Sequence, residues 1–158
     1  MVSHFDSDHS GALREVVENL NVKKLIISRQ TEESEECDKM FEIAKSRKTK
    51  IIFVEAGQVL NIEKNIKFKI FWPDENQITE NALNNNSIVA KLIYDKVQIL
   101  FTGDIEQIAE EKIVEKYGKK LKSTILKVAH HGSNTSSIGS FINAVKPKIA
   151  LIGARKKQ

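Results

Sequence analysis

The chain has 158 residues, 41% hydrophobic and 29% charged, which is one domain's worth of ordinary globular sequence with enough apolar material for a core. Its 25 basic residues nearly balance 21 acidic ones, and a formal charge of +4 is too small to carry a nucleic-acid assignment by itself. No apolar run approaches the ~20 residues of a spanning helix, and the opening MVSHFDSDHS has neither the basic nor the apolar region of a signal peptide.

In chain order, short β-type runs alternate with amphipathic helical runs, which predicts an α/β fold. Residues 1–4 read as a short strand ending in histidine. Ala12, Leu13, Val16, Val17 and Leu20 recur at helical spacing and predict a helix over 10–20. Residues 22–28 (VKKLIIS) form a buried strand and 31–47 a second helix. Glu32, Glu33, Glu35 and Glu36 crowd its first turn, with Lys45 and Arg47 at its far end, so both ends suit the helix dipole. Cys37 falls on this helix as a plain structural residue; as the single cysteine, it excludes an intramolecular disulfide. Strands follow at 50–55, 59–62 and 66–72, the last stopped by Pro73. Residues 87–94 and 97–102 form a hairpin through Asp95-Lys96 that runs into Gly103-Asp104. Ile105, Ile108, Ala109, Ile113 and Val114 mark a helix face, and 123–129 is a strand ending in His130-His131-Gly132. Ile138, Phe141, Ile142 and Val145 mark a last helix, capped at Ser136 or Ser137, before a closing strand at 148–152. Without a repeat or linker, residues 1–158 read as one domain.

All four histidines fall in two clusters. His4 and His9 flank Asp6 and Asp8 in HFDSDH; His130 and His131 are adjacent in HHGS. Each cluster follows a predicted strand, and Asp104 in FTGD follows a third; ligands gather at such carboxyl ends in α/β architectures. In a loop leaving a strand, His4, Asp6 and Asp8 can share one side while His9 turns to a neighbouring site. Four candidate ligands within six residues suit two divalent ions better than one, and the lack of thiolates argues against a structural zinc site. Asp104 is the natural bridging carboxylate for ions ~3.5–4 Å apart. Its competing role is as N-cap of a helix over 105–116.

The HFDSDH segment resembles the metallo-β-lactamase signature His-x-His-x-Asp-His, with Asp6 in place of the second histidine. Together with NNNSIVAKLIY, ILFTGDIEQIAEE, LKVAHHGSNTSS and VKPKIALIG, this variant is similar to the C-terminal domain of the ComEC-type DNA-uptake proteins, from Val2 to Gly153. The resemblance implies an αββα sandwich of the metallo-β-lactamase fold. It also implies a metal-dependent hydrolase with two divalent ions, zinc or manganese, and no small-molecule cofactor. By the same resemblance His4, Asp6, Asp8 and His9 match the metal-binding motif, Asp104 the bridging aspartate, and His130 and His131 the HHG motif beside the active site. Asp8, His130 and His131 are the expected catalytic residues, and His131 an expected ligand as well. The implied partner is DNA, cleaved at phosphodiester bonds of the strand that is not imported. The implied parent is a protein of the cell membrane whose membrane part lies outside this chain, with this domain soluble.

Two departures from the family's pattern set further expectations. Met1 stands three residues ahead of His4, where the family has several strands, and the chain closes on ARKKQ instead of a Gly-His-Pro loop. The expectation is therefore a domain incomplete at both ends, with apolar surface uncovered and weakened activity. Asn84-Asn85-Asn86-Ser87 stands where many relatives place a histidine; an asparagine there binds substrate or holds the loop through Asx-turns. Lys119, Lys120 and Lys122 read as a solvated helix end, with contact to a DNA backbone as the competing reading. Other outcomes are a hydrolase of another ester or phosphoester, since fold does not dictate substrate, and a non-catalytic DNA-binding remnant.

Overall fold

The β-branched and aromatic runs form strands where their alternation places them. The computed structural model describes residues 1–29 and 35–154. Among these, α1 (Ser7–Ser10) and α2 (Leu13–Asn19) precede β1 (Lys24–Ser28), α3 (Glu35–Ser46) and β2 (Lys50–Val54). β1 and β2 pair in parallel as a small sheet. Then come β3 (Val59–Glu63), β4 (Ile66–Trp72), α4 (Ala82–Asn85), β5 (Val89–Tyr94) and β6 (Val97–Phe101). α5 (Gln107–Tyr117), β7 (Ile125–Lys127), α6 (Gly139–Val145) and β8 (Ile149–Leu151) complete the order.

The larger sheet runs β3-β4-β5-β6-β7-β8, antiparallel through β6 and parallel beyond it. Connection length explains the switch. Two residues, Asp95 and Lys96, join β5 to β6, whereas the β6–β7 and β7–β8 crossovers contain α5 and α6. Period two then sorts side chains between layers. On β4, Ile70 packs between the sheets with Val54, Ile88 and Ala90, while Phe71 points outward into the core under α5 and α6. That outer core holds Leu100, Ile105, Ile113, Leu126 and Phe141. On the far side, Val17, Met40 and Ala44 of α2 and α3 cover Leu25 and Ile27 of the small sheet. The layers are helix, sheet, sheet, helix.

Several boundaries differ from the sequence reading. Residues 1–4 form no strand: Val2 N–H donates to Ile26 O at 2.9 Å and Ser3 O accepts from Ile88 N–H at 2.9 Å, so the segment spans between the sheets with one bond to each. The helix over 10–20 is split into α1 and α2. The second helix is described over Glu35–Ser46; the start read at 31, with Glu32 and Glu33, lies outside the described residues. The N-cap of α6 is Ile138 rather than a serine, because Ser136 Oγ donates to Ala129 O and Ser133 O instead. Cys37 is buried in α3, as expected of a structural residue. No helix among the described residues is long and apolar enough to cross a membrane.

Candidate metal centre

Three turns build the centre, one after the extended segment 1–4 and two after β6 and β7. HFDSDH wraps at once into α1, with His9 N–H and Ser10 N–H both bonded to Asp6 O and Ser10 Oγ donating to Phe5 O. After β6, Gly103 takes φ +54, and Asp104 N–H donates to Ser87 Oγ at 3.2 Å. A side chain at Gly103 would stand 2.6 Å from Ser87 Cβ and 3.0 Å from Ser3 Cβ, so this approach requires glycine. After β7, His130 at φ 46 and His131 at φ 55 lie in the left-handed region, followed by Gly132 at φ 80. Each left-handed non-glycine residue costs about 1–2 kcal/mol. Such strain is characteristic of a turn held for function.

These turns bring Asp8, His9, Asp104 and His131 together, with one ligand atom from each lying within 4.8 Å of the others. His131 Nε2 is 3.0 Å from Asp8 Oδ2 and 3.4 Å from Asp104 Oδ2; His9 Nε2 is 3.2 Å from Asp104 Oδ1 and 3.7 Å from Asp8 Oδ2. The two Nε2 atoms face each other at 3.2 Å. His4 sits beside the group, its Nε2 3.5 Å from Asp6 Oδ2 and 4.0 Å from Asp104 Oδ2. Asp6 is the outlying member, half-exposed and in reach of His4 only. An apolar cleft of about 300 Å³ opens onto His9 and Gly103 between Phe68, Ile88, Ala90 and Phe101.

Contacts behind the rings orient them towards the cluster. His131 Nδ1 is 2.6 Å from Gly153 O; a carbonyl only accepts, so Nδ1 carries the hydrogen and Nε2 is a free ligand atom. Ser3 Oγ lies 3.1 Å from Nδ1 of both His4 and His9, and its two lone pairs can accept from both rings. Burial lowers the His4 imidazole, and repulsion from His9 adds to this. His9 is raised above its ordinary value by contact with the Asp104 carboxylate, against the effect of burial. Burial pushes Asp104 up, but contact with His9 and the charges of His4 and His131 hold its carboxyl below the usual range.

His130, in contrast, turns away from this group. Its Nδ1 lies 3.3 Å from both Glu106 Oε1 and Thr135 Oγ1, and Thr135 Oγ1 donates to Glu106 Oε1 at 2.9 Å. Glu106 is held in turn by Asn81 and Asn85, whose amides donate to Oε2, while Asn85 Oδ1 accepts the Glu106 N–H. The helix α5 therefore starts from Glu106 as N-cap, not from Asp104, which is free to face the histidines. The asparagines act as loop holders: Asn86 accepts Ile78 N–H and donates to Ile78 O and Ala82 O, fully buried. Ser3 and Glu106 are not candidates in the sequence reading, and Ser87 enters it only as the end of the Asn84–Ser87 run.

The donor set fits a divalent cation. Buried His4 Nε2 and Asp104 Oδ1 have no hydrogen-bond partner, and two imidazole nitrogens with two carboxylates converge on one point. Such a polar cluster is costly unless something positive satisfies it.

The comparisons agree with this geometry. Residues 1–154 match the Metallo-beta-lactamase superfamily. The chain is 30% identical over 156 residues to "ComE operon protein 3" of Bacillus subtilis, covering 99% of this chain and 20% of that protein. It is 40% identical over 86 residues to "Competence protein ComA" of Neisseria gonorrhoeae, covering 54% of this chain and 12% of that one. The chain thus spans a fifth or less of the length of these curated relatives. Among solved structures, the metallo-beta-lactamase fold protein YhfI from Bacillus subtilis superposes with a TM-score of 0.56 at 10% identity, over 96% of this chain and 64% of that one. With a match from residue 1 to 154 and four candidate acidic and imidazole ligands brought together by its turns, the chain belongs to the metallo-beta-lactamase superfamily.

Proposed function

We propose that this domain hydrolyses phosphodiester bonds of DNA with two divalent ions, zinc or manganese, as part of a membrane-anchored competence protein that degrades the strand not imported. The observation that carries the reading is the convergence of Asp8, His9, Asp104 and His131 in a chain similar to competence proteins. These four residues would hold one ion, and His4 and Asp6 beside Asp104 would hold the other. Bound divalent ions supply Lewis-acid chemistry, activating water and offsetting phosphate charge. The protein's own residues do the rest. Gly153 O fixes the His131 tautomer so that its Nε2 faces the site, and Ser3 Oγ, 3.1 Å from Nδ1 of both His4 and His9, orients those two rings.

The experiment is hydrolysis of a generic phosphodiester and of DNA with and without manganese. Asp8→Ala and Asp104→Ala each abolish turnover, by a hundredfold or more, while circular dichroism stays unchanged. DNA cleavage that persists in both variants refutes the assignment. Turnover of a carboxylic ester in place of the phosphodiester would favour the second reading, a hydrolase of another ester on the same centre.

A further inference from the structure

At the end of the large sheet away from the metal centre, three turns converge on one concavity of about 500 Å³. The β5–β6 hairpin brings Lys96; the turn between α5 and β7 brings Lys119, Lys120 and Lys122; the α6–β8 turn brings Lys146 and Lys148. Lys91 of β5 lines the same concavity, buried, with Nζ donating to Lys120 O at 2.6 Å and Lys122 O at 2.8 Å. The other six lysines are exposed, and no carboxylate lines the basin. Among the described residues, the ion pairs Arg14–Glu18 and Lys116–Asp74 involve none of the seven. Burial, with a smaller contribution from Lys69 outside the basin, pushes the Lys91 ammonium down to about 8.

This clustering is invisible in a net charge of +4, because the lysines come from segments far apart in sequence. Gathered by the fold, they repel one another, and a polyanion relieves that repulsion. The lining chemistry narrows the partner. Lysines, Gln98, Ser123 and Thr124 supply point charges and hydrogen bonds, with no aromatic ring for stacking unpaired bases and no arginine fork for guanine edges. The surface is concave, whereas a bilayer presents a plane. We propose that this lysine basin binds the phosphodiester backbone of duplex nucleic acid, without sequence preference, as a second site separate from the metal centre. The basin lies at the amino ends of β6 and β7, and the metal ligands follow their carboxyl ends. At ~3.3 Å per residue the strand alone separates them by roughly 15 Å. The inference does not depend on what the metal centre hydrolyses.

The test is fluorescence anisotropy with a labelled duplex of about 20 base pairs in EDTA, which silences metal-dependent cleavage and separates binding from hydrolysis. Salt is varied from about 50 to 200 mM, since each phosphate contact contributes ~0.9 to the slope of log affinity against log salt. A basin variant, Lys119→Gln/Lys120→Gln/Lys122→Gln/Lys148→Gln, binds at least tenfold more weakly, with a slope flatter by about 3–4. A control variant removing the same charge elsewhere, Lys23→Gln/Lys24→Gln/Lys50→Gln/Lys64→Gln, changes affinity less than threefold. Should the basin variant melt early, the single changes Lys122→Glu and Lys148→Glu carry the test, each weakening binding at least threefold. Equal losses in basin and control variants overturn the proposal, as does absence of duplex binding by the unaltered protein. Binding to phosphatidylglycerol vesicles that the basin variant loses, with duplex affinity unchanged, overturns it in favour of a membrane surface.

Discussion

Glu110 of α5 is a charged residue with no exposed surface, and its replacement is the sharpest test of how the outer helices are fixed. Its Oε1 accepts the Ser137 N–H and its Oε2 the Ile138 N–H, both at 2.8 Å. These are donors ahead of α6, and Ser137 stands at φ 66, a conformation that must be held. Glu110→Ala strands both donors. Each orphaned donor costs about 1–3 kcal/mol, and because the donors are only part-buried we expect a total of about 2–4 kcal/mol. Glu110→Gln keeps one acceptor oxygen and costs about half as much. For a domain of this size the alanine change lowers the unfolding temperature by about 5–15 °C. Urea unfolding followed by circular dichroism measures both variants, and an alanine variant within about 0.5 kcal/mol of the parent refutes the reasoning.

The same residue gives a pH signature. Burial raises the Glu110 carboxyl above its ordinary value, and the two backbone N–H groups only partly oppose this. A raised folded value means that its contribution is fully present below the unfolded value of 4.5 and is lost as pH rises through the folded value. The parent's stability advantage over Glu110→Gln therefore shrinks with rising pH across that window.

Other outcomes are specific. Gly103→Ala drives a methyl into Ser87 and Ser3 at a left-handed φ, so it costs about 1–3 kcal/mol and displaces Asp104, weakening manganese affinity in calorimetry more than it disturbs the far-ultraviolet spectrum. Asn86→Ala leaves Ile78 N–H and two carbonyls without partners and destabilises by about 2–4 kcal/mol in urea. The Lys91 ammonium, lowered to about 8 from 10.5, makes the unfolded chain the better proton binder between those values. Stability of the parent therefore rises with pH across that interval, and Lys91→Met lacks the rise. Zinc or manganese raises the unfolding temperature of the parent, EDTA reverses the rise, and Asp104→Ala abolishes it.

The layers and the metal cluster were legible because their signals are local. Ile66–Trp72 alternates with period two and is the observed β4, and the Asp95-Lys96 hairpin stands where the turn residues put it. HFDSDH, FTGD and HHG each follow a strand or an extended segment, so topology alone brings them to one end of the sheets. What could not be read was which atoms each polar group would find. His130 and His131 are adjacent, yet left-handed turns at both send one to Glu106 and the other to Asp104. Glu106 and Glu110 look like ordinary exposed helix residues, because their partners lie 21 to 29 positions away. The Asn84–Asn86 run stayed ambiguous for the same reason: its bonds to Ile78, Glu80 and Glu106 depend on a loop packing that propensity does not encode.

His131 donates its Nδ1 hydrogen to Gly153 O, just beyond β8, a three-residue edge strand of the large sheet. Ile152, beside it, lies 3.3 Å from the place a Cβ would take at Gly132. The imidazole is therefore aimed by a strand that contributes no ligand of its own. Fraying of that margin would let the ring rotate and remove one donor while Asp8, His9 and Asp104 stayed in place. An ion bound there would therefore be held less tightly whenever β8 is undocked from β7.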